Sequence, residues 1–89
     1  MAATSVAPDR AAPAIFADAV ARHIAGDARD AIALYHKALA ADPTLAEAHN
    51  NLATLLAARG QEPEAERHLE RAVALQPDYG EAHNNLGIL

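Results

Sequence analysis

The stretch EAHNNL runs from Glu47 to Leu52 and recurs from Glu81 to Leu86, 34 positions further on. The agreement is not confined to the hexamer. At the same offset Gly26 falls on Gly60, Ala31 on Ala65, Tyr35 on Leu69, Ala38 on Ala72, Leu39 on Val73 and Pro43 on Pro77. Small residues meet small ones, large meet large and breakers meet breakers. A stacked structural repeat leaves this pattern, because each position must fit the same neighbour in every unit.

Each unit reads as two helices. Leu45, Ala48, Leu52, Leu55 and Leu56 recur at helical spacing, and Gly60 stands where a glycine commonly ends a helix. Pro63 suits the first turn of the next helix, where its missing N–H is no loss, and Glu62, Glu64 and Glu66 suit the positive end of its dipole. Ala65, Leu69, Ala72, Val73 and Leu75 form that helix's inward stripe, and Pro77 stops it. The preceding unit has a second helix from about residue 28 to 41, with Asp27 as its cap and Ala31, Ile32, Tyr35, Ala38 and Leu39 inward. Its first helix, about residues 12 to 25, is less regular, with Phe16, Ala19, Val20, His23 and Ile24 on one stripe. Residues 1–11 lack periodicity and read as a flexible tail.

Composition agrees with an all-α chain. It is 52% hydrophobic but only 3% aromatic, and alanine supplies most of the apolar count. Alanine has the best helix propensity and little volume, so helices pack closely. Val6, Val20 and Val73 are the only valines, and no run alternates with period two. The net charge is −5 with charges of both signs interspersed, which argues against a nucleic-acid partner. Absence of cysteine excludes disulfides and thiolate metal sites. The start has neither a basic nor an apolar signal region, and no apolar run reaches the ~18–20 residues of a membrane span. The expectation is a cytoplasmic protein with no membrane association.

These residues resemble the tetratricopeptide repeat, a 34-residue helix–turn–helix unit. In the unit beginning at Ala46 the family's signature positions are Leu52, Ala53, Leu56, Gly60, Ala65, Leu69, Ala72 and Pro77, with His49 where the family often has tryptophan. The first unit keeps Gly26, Ala31, Tyr35, Ala38 and Pro43 but places Asp18 and Arg22 in two large-apolar slots. The resemblance implies a right-handed α-solenoid of antiparallel helix pairs over residues 12–89. Its units would be a divergent first repeat over 12–45, a second over 46–79 and a truncated third over 80–89. The EAHNNLG spelling is also similar to the arrays attached to bacterial O-linked N-acetylglucosamine transferase-like proteins.

In this family the first helices of successive units line a concave groove. Asn51 and Asn85 match a position from which some members grip a peptide backbone, since an amide side chain carries both donor and acceptor. Ala17 stands there in the first unit, so a ladder has two rungs. The resemblance implies a protein-interaction scaffold that binds a peptide or helix through Asn50, Asn51, Asn84 and Asn85, with His49 and His83 as neighbouring groove residues. The amides are expected to face solvent. The two-carboxylate clamp of chaperone-binding members is not matched: Phe16, Val20, Glu81 and Asn85 stand at four of its positions, and only Asn51 survives.

Two further readings stay open: the recognition array of a larger enzyme such as a glycosyltransferase, and a self-assembly module. No catalytic centre is expected, as Ser5 is the only serine and there is no glycine-rich phosphate loop. No cofactor or metal is expected either. His49 and His83 sit on neighbouring helices ~8–10 Å apart, and Glu64 with His68 lacks a third ligand in sequence. The third unit stops after ten residues, at Leu89, which predicts an uncapped apolar end and association of copies through it.

Overall fold

A computed structural model describes residues 10–89, so the flexible tail expected over 1–11 falls mostly outside the described residues. Five helices follow in order: α1 (Ala12–Ile24), α2 (Ala28–Ala41), α3 (Ala46–Ala58), α4 (Glu62–Leu75) and α5 (Gly80–Ile88). No strand occurs among the described residues. Among the described residues no helix is long and apolar enough to cross a membrane.

Glycine and proline set the boundaries. Gly26 and Gly60 take φ of 83° and 81°, a left-handed conformation that costs other residues a Cβ clash. Each closes the same terminus. Asp27 N–H donates to Arg22 C=O at 2.9 Å and Gly26 N–H to His23 C=O at 3.1 Å. Their equivalents are Gln61 N–H to Leu56 C=O at 2.9 Å and Gly60 N–H to Ala57 C=O at 3.0 Å. This six-to-one, five-to-two pattern satisfies the orphan carbonyls of α1 and α3. Asp27 caps α2 by accepting from Asp30 N–H at 3.5 Å, a long bond. Pro13 and Pro63 sit in the first turns of α1 and α4.

The helices stack in chain order: α1 on α2, α2 on α3, α3 on α4, and α5 on both α4 and α3. The core joins Ala19, Ala31, Tyr35, Leu39, Ala48, Leu52, Ala53, Leu56, Ala65, Leu69, Ala72 and Ala82. Seven of its twelve members are alanines, so backbones approach closely and little volume separates the helices. Helix α3 is enclosed by its neighbours and buries side chains all round, including His49 and Asn50. Helix α1 packs chiefly on α2, which explains its departures from the repeat. Asp18 and Arg22, the equivalents of buried Leu52 and Leu56, lie exposed. The expected stripe on α1 needs one correction: Ile24 is 82% exposed, since the helix ends there and the chain turns away at Ala25.

Candidate functional site

The repeated hexamer divides its residues between two tasks. In both copies the histidine pins the turn that precedes its helix. His49 Nε2–H donates to Pro43 C=O at 3.0 Å, and His83 Nε2–H donates to Pro77 C=O at 2.7 Å. Both helices start without a side-chain cap, at Leu45 and Tyr79, so this bond from one turn inside the helix fixes the entry of the chain. At the first turn Asp42 adds to the hold, accepting from Thr44 N–H at 3.0 Å and from Thr44 Oγ1–H at 2.6 Å.

His49 is buried and uses its second nitrogen as well. With Nε2 carrying the proton, the neutral ring has its lone pair on Nδ1, which then accepts from His68 Nδ1–H at 2.9 Å. The tautomers are assigned from this network. Beyond His68 stand His36 and Glu64. Glu64 Oε2 is 3.8 Å from His68 Nε2 and 3.9 Å from His36 Nε2, and the His36 and His68 rings meet edge-on at 5.9 Å. Burial lowers the pKa of His49, a trend the Pro43 carbonyl opposes and Arg71 reinforces. Burial also lowers that of His68, with His49, His36 and Arg67 adding to the effect and Glu64 opposing it. Both rings are therefore held neutral more firmly than a free imidazole. Sequence reasoning paired Glu64 with His68 but did not bring His36 and His49 to them. Among the described residues no group of three or more such side chains is arranged to hold a metal ion.

The four asparagines differ. Asn84 is exposed, and Asn51 and Asn85 are half-buried. Asn50 is fully buried, against the expectation that the amides face solvent. The cause is α5: Asn85 Nδ2–H donates to Asn50 Oδ1 at 2.9 Å, a bond between helices across 35 positions of sequence. Asn50 Nδ2 has no hydrogen-bond partner of good geometry, though the Tyr79 hydroxyl lies near enough to feel the amide. Asn51 turns to the first unit and interacts with the Tyr35 hydroxyl, whose pKa burial raises and this contact lowers. Tyr35 is completely buried, receives the edge of His23 with Nδ1 at 2.9 Å from its hydroxyl, and packs on Phe16 at 6.0 Å between ring centres.

Chemically the arrangement offers amide donors and acceptors along α3 and α5. The family model for the tetratricopeptide repeat matches residues 23–87. Among solved structures, the chain is similar to the Sgt2 TPR domain from Aspergillus fumigatus. The TM-score is 0.83 at 28% identity, over 98% of this chain and 58% of that one, so this chain spans little more than half the length of its neighbour. No curated protein matches by sequence.

Proposed function

This chain belongs to the tetratricopeptide-repeat family, and on that premise we propose that it is a docking module for a peptide or short helix of a partner protein. The partner lies along α3 and α5 and contacts Asn51, Asn84 and Asn85. The observation that carries this reading is the unequal placement of the repeated asparagines. Asn50 is sealed beneath α5, whereas Asn51, Asn84 and Asn85 reach the surface on consecutive units. An amide carries two N–H groups and a carbonyl, so Asn51 and Asn85 keep unused bonding capacity after their internal contacts. An extended peptide presents alternating N–H and C=O groups that such amides satisfy. His49 and His83, named with the asparagines from sequence, have their Nε2 atoms committed to Pro43 and Pro77 and support the groove from behind.

The test is selection of binders from a random peptide library against the whole chain, followed by titration of the selected peptide. We expect Asn84→Ala and Asn51→Ala each to weaken binding by ~0.5–1.5 kcal/mol, the net worth of one hydrogen bond. Selected peptides that bind the combined variant as tightly as the parent would refute the reading.

A second reading rests on Ile88, 74% exposed, and Leu89, 40% exposed, which make an apolar surface at the end of α5. Association of copies through that surface is measured by sedimentation, and a monomer at ~100 µM eliminates it. The glycosyltransferase-array alternative has only the EAHNNLG spelling in its favour.

A further inference from the structure

A cavity of about 180 Å³ opens between α3, α4 and α5, lined by Ala53, Thr54 and Ala57, by Leu69, and by Asn85 and Ile88. The internal repeat identifies what this space is. At an offset of 34 residues, Leu69 corresponds to Tyr35, Ala57 to His23 and Asn85 to Asn51. In the first unit the equivalent space is filled: the Tyr35 ring is wholly buried there, with its hydroxyl on His23 and beside Asn51. In the second unit a leucine lacks the phenol and an alanine lacks the imidazole, so the same framework is left open. The asparagine that meets the hydroxyl is still in place. Asn85 uses Nδ2 on Asn50, and among the described residues its Oδ1 accepts no side-chain hydrogen bond.

We propose that this cavity is an anchor site for one tyrosine side chain of a bound peptide, with its ring against Leu69, Ala57 and Ile88 and its hydroxyl donating to Asn85 Oδ1. The proposal rests on the peptide-docking reading and adds to it a residue preference. The volume suits a single ring: an apolar cavity of ~150 Å³ in a protein core is enough to take up benzene. A second copy of this chain is a poor source of the ring. Its only aromatics are Phe16, Tyr35 and Tyr79, and each is already packed within its own fold.

The probe is p-cresol, the side chain of tyrosine without a peptide, titrated into the intact chain and followed by amide NMR. We expect saturable shifts centred on Ala53, Ala57, Leu69, Asn85 and Ile88, with a dissociation constant of ~1–10 mM, ordinary for so small a ligand. Asn85→Ala should weaken p-cresol about threefold to tenfold more than it weakens toluene, because any loosening of α5 affects both ligands and only the hydroxyl loses a hydrogen bond. Leu69→Tyr with Ala57→His rebuilds the first unit's filling and should abolish the site. Leu69→Phe is the simpler filled variant if that pair does not fold. Absence of saturable shifts, or binding that persists in a folded filled variant, overturns the proposal. Because p-cresol has no backbone, its failure leaves the docking reading standing. A selected peptide that binds a filled variant as well as the parent refutes the anchor alone.

Discussion

Removing Asn85's amide should loosen the last helix. In Asn85→Ala the Asn50 carbonyl loses its 2.9 Å donor while remaining fully buried, and Asn50 Nδ2 already lacks a partner of good geometry. A buried polar group left unpaired costs ~1–3 kcal/mol, more than the net worth of the bond itself. In a domain of this size each kcal/mol lowers the melting temperature by ~4–8 °C. Helix α5 has nine residues and a single fully buried side chain, Ala82, so little else holds it. The loss should therefore show first as faster amide hydrogen exchange in α5, with α1 to α4 protected as before. Asn50→Leu combined with Asn85→Ala removes both polar partners and should recover most of the loss, because apolar replacement of a whole buried pair is nearly neutral. Urea unfolding followed by circular dichroism supplies the four corners of the cycle. A coupling below ~0.5 kcal/mol would refute the claim that this bond ties α5 to α3.

Acid should destabilise the fold through His49 and His68. Burial lowers both pKa values in the folded state, so the unfolded chain binds more protons on acidification. Their contribution is present above pH ~6.5 and is lost as pH falls through that value toward the folded pKa values. A melting temperature that is flat from pH 7.5 to 5.5, or a slope unaltered by His68→Gln, would contradict this. Ala72→Leu inserts three carbons where a fully buried alanine faces the core, and overpacking of this kind costs ~1–3 kcal/mol in urea unfolding. An unchanged midpoint would mean that Ala72 is not at a close helix contact.

Much of the fold was legible because glycine and proline punctuate it. Gly26, Gly60, Pro43 and Pro77 bracket the helices, and α2 spans the residues the periodicity assigned to it. The inward alanines Ala31, Ala38, Ala65 and Ala72, all fully buried, were also readable, since small residues at a fixed period mark close backbone approach. Ile24 was misread for a reason that periodicity does not contain: a stripe gives a face but not the point where the partner helix ends. Asn50 was misread because its covering is supplied by Asn85, whose distance of 35 positions is one unit plus one residue. The period itself contains the signal, since Asn50 corresponds to Phe16, a residue packed on buried Tyr35. The histidine cluster escaped for a similar reason: His36, His49 and His68 come from three helices, and only the stacking of units brings them together.

The central claim is that Asn51, Asn84 and Asn85 serve a partner, Asn85 while also holding α5 to α3, and that Asn50 serves the fold alone. Side-chain amide resonances of a selectively labelled chain test it directly during titration with a selected peptide. The account predicts that Asn51, Asn84 and Asn85 shift together and saturate with the peptide, while Asn50 stays protected from exchange. Shifts confined to α2 and α4, with all four amides unmoved, would contradict it.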